Sequence, residues 1–105
     1  MAEIRELTTE PEWRDAFPVL SQLRSHLTEE TYLEYLDAMR GEGYRLFALF
    51  KADEIVSVAG VAIRTNFYNG RHLFVYDLVT REDHRSEGYG TRLMELAGEW
   101  ARDRG

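Results

Sequence analysis

Asp77-Leu-Val-Thr-Arg-Glu-Asp-His-Arg-Ser-Glu-Gly-Tyr-Gly-Thr-Arg-Leu-Met94 carries an apolar strand into a Gly-x-Gly turn that opens a helix. Gly88 and Gly90 flank the helix start, so the backbone there can approach a ligand without a Cβ in the way and aim free N–H groups at it. Those amides and the positive end of the helix attract an anion such as a pyrophosphate. Arg85, one turn earlier, can neutralise charge, and the hydroxyls of Ser86 and Thr91 are available donors. A purely structural turn would also use a Gly-Tyr-Gly helix start. The dinucleotide fingerprint is excluded because position 93 is Leu, and the phosphate-loop pattern is excluded for want of its Gly-Lys-Ser/Thr ending.

Working outward, the three segments before this stretch have a period near two. Tyr44 to Phe50, Ile55 to Thr65 and Leu73 to Thr80 are β-branched and aromatic runs, too short and too punctuated for helices. Ala52-Asp53-Glu54 can turn the first pair, and Asn69-Gly70 predicts a type I′ hairpin between the second and third. Further back the period lengthens. Thr9-x-x-Glu12 matches a capping box ahead of an apolar stripe of Trp13, Phe17, Leu20 and Leu23, with Pro18 expected to bend or divide that helix. Thr28 reads as the N-cap of a second helix carrying Tyr32, Leu36 and Met39 on one face, ended by Gly41 and Gly43. Ile4 to Leu7 alternates as a short first strand. The last helix, starting near Gly88, places Leu93, Met94, Ala97 and Trp100 on one face. The order is strand, helix, helix, three strands, helix: an α+β layout with helices on a mostly antiparallel sheet.

Composition narrows the function classes. The chain has 105 residues, which is the size of one domain spanning 1–105, with 44% hydrophobic and 30% charged residues, as in a globular protein. No apolar run is long enough to span a membrane, and the first residues do not read as a signal peptide. The absence of cysteine removes disulfides and thiolate chemistry and makes a cytoplasmic setting the default expectation. A net charge of −6 disfavours nucleic acid as a partner, since phosphate binding needs a basic surface. His26, His72 and His84 have no metal-ligand spacing, and no serine sits in a nucleophile elbow, so neither a metal site nor a serine hydrolase is expected.

Arg85-Ser-Glu-Gly88-Tyr-Gly90 resembles the Arg/Gln-x-x-Gly-x-Gly/Ala signature of the GNAT superfamily of N-acetyltransferases, and its place after a β-α-α-β-β-β run agrees with that family's order. Glu82 departs from the pattern, because many relatives have proline before the Arg. The resemblance implies acetyl-coenzyme A as co-substrate. It implies that the backbone of Leu78, Val79 and Thr80 pairs with the pantetheine arm, as an extended peptide adds to a strand edge. It also implies that amides from Arg85, Ser86, Glu87, Gly88, Tyr89, Gly90 and Thr91 hold the pyrophosphate. The implied reaction is direct attack of a primary amine, of a small molecule or a protein, on the thioester carbonyl.

Asp77 is the candidate catalytic group, a polar side chain at the thioester end of the strand; capping or salt-bridging at a strand end is the alternative. Relatives with a glutamate base higher on that strand would place it near Leu73, where this chain has none, and His72 is expected on the opposite face. Glu29, Glu30 and Glu34 are candidates to attract a cationic amine, or a solvated helix face. Tyr32, Tyr35, Phe67 and Tyr68 are candidates for an acceptor pocket or for packing. The family fold continues past its third helix with a further strand, helix and strands, so the sequence reads as a C-terminally truncated form whose fourth strand has an unpaired edge. A homodimer covering that edge is the corresponding expectation. The alternative function is a non-catalytic acyl-coenzyme A-binding or self-associating module.

Overall fold

The computed structural model describes residues 2–68, 70–82 and 88–103. Its elements are β1 (Ala2–Leu7), α1 (Glu10–Leu20), α2 (Glu29–Gly41), β2 (Arg45–Lys51), β3 (Glu54–Asn66), β4 (Gly70–Thr80) and α3 (Tyr89–Asp103). The four strands form one antiparallel sheet in the order β1-β2-β3-β4. The expected α+β layout is the observed one.

The middle of the sheet, β2 and most of β3, is buried on both faces, which explains why these strands read as nearly unbroken apolar runs. Leu46, Ala48 and Val58 face α1 and α2, in a core with Ala16, Leu20, Tyr32 and Leu36. Phe47, Leu49, Val56 and Ala59 face the other way, against Tyr89, Leu93 and Ala97 of α3. Alternate residues of one strand thus feed two cores.

Local chemistry sets the ends of the elements. The Glu12 carboxylate accepts from the backbone N–H groups of Thr8 and Thr9 at 3.0 and 3.1 Å, as the capping pattern requires. The Thr28 hydroxyl accepts from Thr31 N–H at 3.1 Å. Pro18 does not divide α1; it lies in the last turn, and the helix ends two residues later at Leu20. Leu23 therefore falls outside the helical stripe and is exposed.

The hairpins exchange the roles expected of them. Ala52 and Asp53 have φ of 52° and 65° between the paired Lys51 and Glu54, the two positive values of a type I′ turn. Asn66 pairs with Gly70, so the β3–β4 connection spans three residues, not the two of a tight Asn69-Gly70 turn. Gly70 has φ 65° and opens β4; Asn69 lies outside the described residues. A left-handed glycine closing a three-residue loop accounts for the change.

Candidate functional site

The site is built where β3 and β4 fall out of regular register. Gly60 pairs with Asp77 and Val61 pairs with Val75, so Tyr76 is the extra residue of a bulge. The bulge lets consecutive residues, Tyr76 and Asp77, both line one cavity of about 270 Å³ between the α1–α2 connection and the sheet. An isolated glycine in a strand marks a bulge or a close approach, and Gly60 is both. A Cβ there would lie 1.8 Å from the Tyr44 hydroxyl, so only glycine lets that phenol lie against the strand.

Asp77 is buried, and its carboxylate accepts from Arg24 Nε at 2.9 Å and from the Tyr44 hydroxyl at 3.1 Å. Arg24 also donates from Nη2 to the Tyr76 carbonyl at 3.1 Å, fixing the bulge to the loop after α1. Burial first, and the Asp77 charge second, push the Tyr44 phenol well above its ordinary range, so it stays protonated and donates. Burial likewise raises Tyr32, with the Asp77 charge the next cause. Tyr76 is held from behind: Arg64 donates to its hydroxyl from Nε at 3.2 Å and Nη2 at 2.8 Å. That hydroxyl accepts both bonds and keeps its own hydrogen for another acceptor.

Of the aromatic candidates, Tyr32 and Tyr35 line this cavity. Phe67 and Tyr68 stand fully exposed at the β3–β4 hairpin tip, well apart in sequence from its lining. Glu29, Glu30 and Glu34 do not line it either, and Glu29 is ion-paired with Arg14. His72 and Leu73 are consecutive in a regular stretch of the β3–β4 ladder, paired with Arg64 and Ile63, and Leu73 packs against the α3-side core.

A second hollow, about 370 Å³, runs beside β4 and is lined by Gln22, Leu23, Leu78, Val79, Thr80 and Gly90. It joins the strand to the N-terminus of α3. Gly88 has φ 77°, a conformation that favours glycine, and among the described residues nothing lies within 4 Å of the position a Cβ would take. Arg92 N–H donates to the Gly88 carbonyl at 3.1 Å, so the amides of Gly90 and Thr91 precede that first helical bond. Arg85, Ser86 and Glu87 lie outside the described residues. Gln22 clamps the end of the strand: its Nε2 donates to the Thr80 carbonyl and its Oε1 accepts from Glu82 N–H, both at 3.2 Å.

Arg24, Tyr44 and Gln22 escape a reading of the sequence, because each meets its partner from more than thirty residues away. Gly60 alone left a local signal, as a glycine inside an apolar strand.

A bulged edge strand that runs into a glycine-opened helix N-terminus, beside a part-apolar cavity, defines a class of acyl-transfer proteins: the chain belongs to the GNAT acetyltransferase family, whose model matches residues 4–105. It is 41% identical, over its whole length and 75% of the relative's, to the uncharacterized N-acetyltransferase YhdJ of Bacillus subtilis (strain 168). Solved structures share the fold at low identity. The aminoglycoside N-acetyltransferase AAC(6')-Iy, in complex with CoA, superposes with a TM-score of 0.87 at 15% identity, covering 100% of this chain and 72% of that one. Glucosamine-6-phosphate N-acetyltransferase from Arabidopsis thaliana gives 0.79 at 18%, covering 100% and 77%.

Proposed function

We propose that the chain transfers the acetyl group of acetyl-coenzyme A to a primary amine by direct attack on the thioester. The observation that carries this reading is the succession of two hollows along β4: a cavity at the bulge with the Asp77 carboxylate in its wall, then a groove lined by Leu78, Val79 and Thr80 that reaches Gly90 at the start of α3. The residues suit the co-substrate. A groove beside an exposed strand edge accepts an extended amide-bearing arm, and the absence of a Cβ at Gly88 suits a pyrophosphate at the helix end.

Acetyl-coenzyme A supplies an activated carbonyl when bound. In this reading the strand backbone at Leu78, Val79 and Thr80 aligns its arm, and Arg85, Ser86, Glu87, Gly88, Tyr89, Gly90 and Thr91 hold its phosphates. The Thr80 carbonyl is already engaged by Gln22, which leaves the backbone of Leu78 and Val79 for most of the pairing. Asp77 is the polar group at the reacting end. It anchors Arg24 and Tyr44 and accepts a hydrogen bond from the incoming amine, orienting the nitrogen toward the carbonyl. The new C–N bond forms as the C–S bond breaks, and the amine's proton leaves with the thiolate or with water.

The acceptor in this reading is a small-molecule or protein amine, met in the cytoplasm, and a second copy of the chain covers the β4 edge when co-substrate is absent. Among the described residues, no helix is long and apolar enough to cross a membrane. Calorimetric titration with acetyl-coenzyme A tests the cradle. Gly88→Glu puts a side chain and a negative charge at the helix opening and is expected to abolish the binding heat. Equal heats for the wild type and this variant would refute the site. Thiol release on adding amines then separates an enzyme from a binding module, which would bind without releasing thiol.

A further inference from the structure

The cavity at the bulge carries information about its acceptor, and this inference rests on the acetyltransferase reading of the same site. Among the described residues its one carboxylate is Asp77, and that carboxylate is already paired with Arg24, so the two formal charges cancel. The rest of the lining is aliphatic, Leu20, Leu27, Leu36 and Met39, with tyrosine rings and one imidazole, His26. The acidic residues of α2, Glu29, Glu30, Glu34 and Asp37, lie outside the lining. One amine can therefore meet one polar end. A second ammonium in the same cavity would find no second carboxylate to pair with, and burying it without one is costly. A phosphorylated amine would meet Arg24, but the charge of that guanidinium is already balanced by Asp77, which holds its Nε while the Tyr76 carbonyl holds Nη2.

The volume points the same way. About 270 Å³ lies near the lower limit of small-ligand pockets, enough for one ring and a short chain and too small for an oligosaccharide. Tyrosine faces and a methionine sulfur receive an aromatic ring well, by edge-to-face and sulfur contacts. We propose that the acceptor is an apolar monoamine, an aryl or branched alkyl group carried on a short chain that ends in one primary amine, and that polycationic and phosphorylated amines are rejected.

The test uses the 105-residue chain with 2-phenylethylamine and tryptamine against spermidine, kanamycin and glucosamine-6-phosphate. Two readouts are taken: melting temperature with each amine, and thiol release from acetyl-coenzyme A. The apolar monoamines are expected to raise the melting temperature and to show kcat/KM at least tenfold above the other three. Met39→Trp, which fills the cavity, is expected to abolish that thermal shift. Tyr35→Glu changes an exposed residue at the rim, so folding is not at stake, and it is expected to narrow the preference over spermidine tenfold or more. Equal or better response to spermidine, kanamycin or glucosamine-6-phosphate would overturn the inference while leaving the acetyltransferase reading intact. Absence of binding heat with acetyl-coenzyme A would instead strike that reading, while the thermal shifts still decide the acceptor question. No thermal shift with either apolar amine overturns the inference.

Discussion

At the scale of single residues, the site depends on the absence of one carbon atom. Gly60 has no Cβ, and the Tyr44 ring occupies the position that a Cβ would take, with Oη at 1.8 Å and Cζ at 2.4 Å from it. Gly60→Ala must displace the ring or the strand, at a cost of about 1–3 kcal/mol typical of overpacking. Combining it with Tyr44→Leu is expected to recover part of that loss, because the clash disappears; denaturant midpoints of the two single variants and the double close the cycle. Additive losses would show that Tyr44 is not what Gly60 accommodates. Tyr44 itself gives stability a pH dependence. Its phenol is raised in the folded protein, so above about pH 10 the unfolded chain loses that proton while the folded one keeps it. The contribution is complete below that pH and is lost as pH climbs through the folded value. Stability is thus expected to fall from about pH 10 upward, with a shallower fall in Tyr44→Phe. Tyr32 is raised in the same direction and supplies the slope that remains. Identical alkaline slopes for wild type and variant in urea titrations at pH 8 and 11 would remove Tyr44 from this account.

At the scale of elements, the β2–β3 hairpin carries strain that sequence chemistry could remove. Ala52 sits at φ 52°, where its Cβ crowds the carbonyl, and Asp53 follows at 65°. Asparagine and glycine are the residues that such a turn favours, so Ala52→Asn with Asp53→Gly is expected to stabilise the fold by about 1 kcal/mol. A higher denaturant midpoint at unchanged slope is the expected reading, and no change would mean that the left-handed pair costs little here. Element type and order were legible because periodicity and caps are local: Thr9 and Thr28 begin helices, and apolar runs of period two form strands. The hairpins were not, because Asn69-Gly70 has the better turn composition while pairing of the flanking strands decides the register. The same division holds in the site. Asp77 stands out at the end of an apolar run, but its partners Arg24 and Tyr44 come from α1's trailing loop and the residue just before β2, brought together only by packing. The open alternative for Asp77, a salt bridge, is present in the Arg24 pair, and the proposed role at the reacting end is built on that anchoring.

At the scale of the whole molecule, the open edge of β4 links assembly to ligand. The strand has β3 on one side and, among the described residues, no strand on the other. Phe74, Val75 and Leu78 are 46%, 40% and 42% exposed along it. An apolar edge with unpaired backbone groups is a template for another strand, and two copies related by a twofold axis can satisfy it antiparallel. The same edge is where the arm of acetyl-coenzyme A is proposed to lie, so dimer and complex compete for one set of backbone groups. A ligand that binds only the monomer, at a hundredfold excess over its Kd, favours that state by about 2.7 kcal/mol per protomer. Light scattering is therefore expected to show a dimer that grows with protein concentration and is driven back to monomer by coenzyme A. Val75→Lys places a charge on the edge and is expected to give monomer throughout while retaining the binding heat for acetyl-coenzyme A. A well-folded wild-type monomer at every concentration would sink the dimer, and a dimer indifferent to coenzyme A would show that association uses some other surface.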